Sequence, residues 1–439
     1  MELETRNQKL EDRTTSRACH SDAAVAGEES SQWVSLGTAG VLRSARNDSG
    51  RWKLSGKGTS FRLLISDFYF LLSRSFHFLI SSFCLLLSAF CFLISVTAAV
   101  EAGSAQALID AGHWKRARAI LEPRVAANPR DAEAACLLAQ VKVAFGDLDG
   151  ALKSAQQAVS LEDGNSTYHF QLAEVYGEMA SRASMFAAAS LAGKFKGELE
   201  AALARNPNNL DALDALMQYS FQAPGLMGGD KGKARAIAEK MVELNPVRGY
   251  LAQAELAREA NDFAKVEESF LKAVQADAKN YEAQTSLARF YTQPSHRKAE
   301  EAEKYARAAL GLDPARAKGY SILAEVLALE QRWSELATLL SASEKAAPDD
   351  LAPYFGAASA LLESGVELER AKTYLQKYLA QEPEGEEPDA AHAHHLLGLI
   401  LEKQGRRAEA VSELEMAVQM NPRLKAAKED LKRVKSGSR

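Results

Sequence analysis

Cysteine is almost missing from this chain. Four occur in 439 residues, and Cys19, Cys84 and Cys91 fall within the first hundred. Cys136 lies alone beyond them. One thiol closes no intramolecular disulfide, so everything after residue 100 must be held by packing. Cys136 occupies an apolar position of a helical pattern and is expected to be a buried small hydrophobe. Excess positive charge is missing too. The net charge of -5 argues against nucleic acid, which rewards basic surfaces. No strand-like alternation of useful length appears, and no HExxH spacing, Ser-His-Asp order or paired-carboxylate setting marks an active site. No cofactor, metal centre or small-molecule substrate is expected. At 47% hydrophobic and 25% charged, the chain still has ample material for a large core.

Residues 1–60 are polar, rich in Ser, Arg and Gly, and lack a sustained period. Such a stretch cannot offset the entropy of ordering and is expected to be disordered. Residues 41–48 resemble the translated repeats found at over-extended starts of bacterial gene models. Residues 61–102 carry a different pattern. Arg74 precedes an apolar run from Phe76 to Val96, interrupted by no charge other than that of His77, and the small residues Thr97, Ala98, Ala99 and Ala102 follow. A positive flank, an apolar run and small residues at -3 and -1 form a secretory signal, with cleavage after Ala98 or Ala102. At 21 residues the run is also long enough to span a bilayer as a retained anchor. Either outcome puts the rest of the chain outside the cytoplasm, periplasmic, secreted or tethered. Phe83 before Cys84 and Phe90 before Cys91 are poor lipoprotein sites.

From residue 103 the apolar spacing becomes helical, in segments joined by short Gly, Asp, Asn or Pro turns. Its clearest copy runs from Leu397-Gly398 through Leu401, Gly405, Ala410, Leu414 and Ala417 to Pro422. Earlier copies place Leu138-Ala139, Gly146, Ala151, Ala155 and Ala158 alike, and Gly112 to Gly146 is a step of 34. That period, with a Leu-small pair in the first helix, Gly before the turn and Ala at helix contacts, resembles the tetratricopeptide repeat. The resemblance extends through Leu172-Ala173, Leu216, Leu256-Ala257, Leu287-Ala288, Leu323-Ala324 and Ala371, with insertions near 181–193 and 222–232. It implies an all-α, right-handed superhelical solenoid of about nine helix pairs over 103–422. Residues 423–439 supply a capping helix and tail, because the last apolar face has no neighbour.

The resemblance further implies a concave groove lined by first helices, suited to a partner's peptide or helix. Repeat position nominates Gln140, Glu174, Arg289 and Glu325 as groove-facing. That mixture does not make the Lys and Asn carboxylate clamp of chaperone-tail binders. Two other stretches invite chemistry. Gly225 to Lys233 looks like a phosphate loop, but a helix precedes it and Ala234 stands where Ser or Thr would hold magnesium, so an elongated turn is expected. His392, His394 and His395 cluster at a helix start without a third metal ligand in motif, so packing or exposed histidines are expected. The expectation is a non-catalytic protein-binding scaffold. Its rivals are an accessory factor of an envelope or polysaccharide-export complex and an enzyme working from the inserted loops. Mass spectrometry of the native protein is expected to show a mature chain beginning at Ala99 or Gly103; persistence of residues 76–96 would identify an anchor instead.

Overall fold

A computed structural model of the chain describes residues 105–385 and 388–437. The polar 1–60 segment and the apolar 76–96 run lie outside them. Every regular element described is helical. A helical stretch at 105–110 (α1) pairs with Trp114–Ala127 (α2), Ala132–Ala144 (α3) with Leu148–Leu161 (α4), and Ser166–Arg182 (α5) with Met185–Arg205 (α6). Leu210–Gln222 (α7) and Lys231–Leu244 (α8) follow, then Pro246–Glu259 (α9) and Phe263–Ala276 (α10), then Tyr281–Thr292 (α11) and Ala299–Leu312 (α12). The last pairs are Ala317–Leu329 (α13) with Trp333–Ala346 (α14), Ala352–Ser364 (α15) with Leu368–Tyr378 (α16), and Ala390–Lys403 (α17) with Arg407–Met420 (α18). Lys425–Ser436 (α19) closes the array. These are the nine pairs and cap that the repeat pattern implies. Among the described residues no helix is long and apolar enough to cross a membrane.

Turn chemistry explains the boundaries. Asp131, Asp147, Asn165, Asn209, Asp230, Asn245, Asp262, Asn280 and Asp389 each accept a hydrogen bond from a backbone N–H in the first turn of the helix that follows. Gly112, Gly146 and Gly405 turn each hairpin at φ between 75° and 84°. At the matching corners Asn261 and Gln331 adopt φ of 58°. The repeat geometry imposes the left-handed corner even where no glycine relieves it.

Packing follows the small-residue stripes. Second helices bury one narrow face, such as Ala151, Ala155 and Ala158 of α4 or Ala302, Ala306 and Ala309 of α12, all at 0% exposure. First helices are sandwiched: residues 134–141 of α3 are buried without interruption. Cys136 lies among them and is buried, as expected. One apolar cluster runs from Ala288 to Val434, and another links Phe170 to Ala252. The core is thus a chain of local nuclei. Two glycines mark close approach between paired helices. A Cβ on Gly398 would stand 2.7 Å from Leu414 Cγ, and one on Gly249 only 2.2 Å from the Val242 backbone nitrogen. The cap α19 buries Ala427 and Val434 and holds α17 through His395 to Asp430, 2.7 Å, and Arg433 to Glu402, 2.8 Å.

The array also returns upon itself. Lys115 of α2 donates from Nζ to the carbonyl oxygens of Asp349 and Glu382, Arg116 pairs with Asp349, and Arg118 with Glu382 at 2.6 Å. Gly385 packs on Trp114, where an added Cβ would lie 3.3 Å from Cδ1 of the indole. The acidic stretch between α16 and α17 is therefore a contact with the first helix pair as well as a lead into the ninth.

Gly249→Ala is expected to cost about 1–3 kcal/mol, because backbone atoms of α8 must retreat. Gly197→Ala, in an exposed part of α6 with nothing within 4 Å, is expected to add about 0.5–1 kcal/mol. Denaturant unfolding of both variants checks the opposite signs.

Candidate partner-binding cleft

The four nominated residues do lie on first helices, at α3, α5, α11 and α13. Gln140 and Glu174 are only 4% and 7% exposed. Arg289 and Glu325 meet across neighbouring first helices, Nη1 to Oε2 2.6 Å. Similar ties recur along this row: Arg248 to Asp211 at 2.7 Å, Gln218 to Glu255 at 3.1 Å and Lys318 to Glu282 at 2.7 Å. Burial works against the Arg248 charge, but Asp211 and Asp214 more than offset it, so its pKa is raised. Much of the polarity of the first helices is thus engaged in binding one repeat to the next. The structure brings Arg289 and Glu325 together across two neighbouring first helices.

Glu174 instead borders a cleft of about 250 Å³ among α5, α6 and α7. Phe170, Glu178, Phe195, Gln218 and Tyr219 share its lining. The cause is local. Helix α6 is 21 residues long, against 14 for α4 and α8, so its first turns run past the regular packing of the pair. The tempting phosphate loop folds beside it. Residues Gly225–Met227 form a 3₁₀ turn, Tyr219 donates its hydroxyl hydrogen to Met227 O at 2.6 Å, and Asp230 N–H donates to Ser220 O at 2.7 Å. Asp230 then caps α8. No strand precedes the turn, in line with the elongated-turn expectation. A Cβ on Gly228 would lie 3.2 Å from Lys196 Nζ, so this turn abuts α6. On the aromatic side Phe195 and Tyr219 lie 5.6 Å apart, and Gly177 leaves room for the Phe195 ring.

The two inserted segments thus meet around one cleft. Both also expose large apolar side chains: Met185 and Phe186 are 79% and 86% exposed, and Leu226 is 99% exposed. Carboxylates beside aromatic rings suit a cationic side chain, which can pair with the acids and lie against a ring face. Repeat position alone misses Glu178, Gln218 and Tyr219 as cleft residues. Their signal was the pair of insertions in consecutive units, which places unusual surface on either side of α7.

The histidine cluster is not a centre. His392 pairs with Asp389 at 2.6 Å, His394 with Glu413 at 2.6 Å and His395 with Asp430 at 2.7 Å, three carboxylates on different elements.

The tetratricopeptide repeat family model matches residues 103–176 and 355–424. The chain therefore carries tetratricopeptide repeats over these two segments, and the intervening units keep the same helix pairing. No curated protein sequence matches the chain. Similar solved structures include yeast Tom70, at 15% identity over 78% of this chain and 89% of that one, TM-score 0.43. A tetratricopeptide repeat protein from Parabacteroides merdae is 18% identical over 60% of this chain and 98% of that one, TM-score 0.41. The Cut9–Hcn1 hetero-tetramer of the APC/C gives 12% over 75% and 62%, TM-score 0.40.

A double-mutant cycle on Arg289→Met and Glu325→Gln, read by denaturant unfolding, is expected to give a coupling of about 1 kcal/mol. A coupling near zero would show that the pair does not join the sixth and seventh units.

Proposed function

We propose, from the tetratricopeptide repeats that the chain carries, that it is a non-catalytic scaffold that binds other proteins along its first-helix face. The observation that carries the reading is the cleft among α5, α6 and α7. It combines two carboxylates at 7% and 8% exposure, Glu174 and Glu178, with Phe170, Phe195 and Tyr219. A partner segment presenting Lys or Arg flanked by apolar residues fits this chemistry. The cation would face the carboxylates, and the apolar residues would cover Leu226, Met185 or Phe186. Buried aromatic and charged anchors of this kind carry most of the energy of an interface.

The apolar run at 76–96 supports a location outside the cytoplasm. Retained as an anchor, it would favour the narrower role of an accessory factor of an envelope complex, with the repeats docking on a membrane assembly. Gln140, Arg289 and Glu325 belong to the same proposed face, with Arg289 and Glu325 shaping it through their mutual pairing.

Crosslinking and affinity capture from native membranes and periplasm identify partners, whose binding is then measured with purified components. Glu174→Gln with Glu178→Gln, and separately Leu226→Ser, are each expected to weaken a captured partner at least tenfold while the helical circular dichroism stays unchanged. A partner bound equally well by all of them would place recognition elsewhere on the array.

A further inference from the structure

The contact between the first pair and the stretch before α17 holds chemistry that the cleft does not use. His113 stands in the turn of the first hairpin, Asp349 in the turn between α14 and α15, and Glu384 between α16 and α17. A ring nitrogen of His113 and one oxygen from each carboxylate lie within 4.8 Å of one another. His113 is 4% exposed, and neither of its ring nitrogens has a hydrogen-bond partner. Oδ2 of Asp349 is also buried and unpartnered, its Oδ1 being taken by Arg116. A histidine this buried normally satisfies at least one nitrogen. Here both are idle beside two acids.

We propose that His113, Asp349 and Glu384 bind a divalent metal ion of the zinc type, which clasps the first helix pair to the entrance of the ninth. One imidazole and two carboxylates are a donor set that zinc accepts, with a water or a second carboxylate oxygen completing four-coordination. Ligand atoms about 2.0–2.1 Å from a tetrahedral ion stand roughly 3.4 Å apart, so the three side chains must close by up to about 1.4 Å. Small side-chain rotations supply that. Asp349 and Glu384 meet Arg116 and Lys115 here. The Glu384 side chain is 2% exposed. Lys115 Nζ is 3.6 Å from Glu384 Oε2, its shorter bonds run to the Asp349 and Glu382 carbonyls, and the Lys115 backbone N–H donates to both Glu384 oxygens at 3.3 Å. The ligands come from three turns that lie far apart in sequence. An ion there would set how far the superhelix closes, and with it the width of the first-helix face.

The test uses the full-length protein stripped with a chelator and titrated with Zn²⁺. One ion per chain is expected, with a rise in thermal midpoint. Glu384→Gln and Asp349→Asn should each weaken binding at least tenfold, since even outer-shell partners cost 10–100-fold. Mg²⁺ should compete poorly, because it prefers all-oxygen octahedral sites. Zinc-edge X-ray absorption of the loaded wild type should show one imidazole among light-atom ligands, a readout that does not depend on the variants folding. Absence of stoichiometric Zn²⁺ binding by the folded wild type would overturn the proposal. So would undiminished binding in both variants, or a zinc spectrum with no imidazole or with several.

Discussion

A helix hairpin with an oily face cannot end in water, and the rest of this molecule follows from that constraint. Each pair hides the exposed side of the one before it and presents a new side to be hidden. Alanine and glycine at the facing positions set how near the helices come. Gly249 lets its helix approach the Val242 backbone, and Gly398 lets its helix approach the Leu414 side chain, within distances that a Cβ would forbid. Because every unit needs only its neighbours, the core is a succession of clusters. The succession stops at α19, whose outer face is polar and needs no cover.

Departures from regular stacking are where surface becomes available for other molecules. Helix α6 overruns its partner, and the following turn has room for the 3₁₀ segment at Gly225–Met227. Together they open a cleft in which acids and aromatic rings sit side by side. Elsewhere on the first-helix face, polar groups join one repeat to the next. Arg289 is tied to Glu325, and Glu174 lines the cleft.

The closing contact shows how electrostatics can complete what hydrophobic stacking begins. Lys115, Arg116 and Arg118 on α2 meet acids at 349, 382 and 384. Several of these groups are partly withdrawn from water, so their pairing is screened less than that of ordinary surface ions. A metal at His113 would add directional bonds to a contact that is otherwise made of ion pairs. The groove that a partner enters and the clasp that limits its width would then be two aspects of one superhelix.

Read alone, the sequence determined the helix pairs, their order and most of their buried positions. It could do so because these depend on spacing within about 34 residues, on Asp and Asn before helix starts, and on Gly at left-handed corners. The buried Cys136 was legible for the same reason. So was the elongated turn at 222–232, since no strand pattern precedes it. Tertiary structure alone decided three things: the pairing of Arg289 with Glu325, the cleft beside Glu174, and the meeting of His113 with Asp349 and Glu384. Each depends on rotation and rise summed over successive repeats, from one step for the first to about seven for the last. A small change in twist per unit leaves the sequence period intact yet carries His113 far from Glu384.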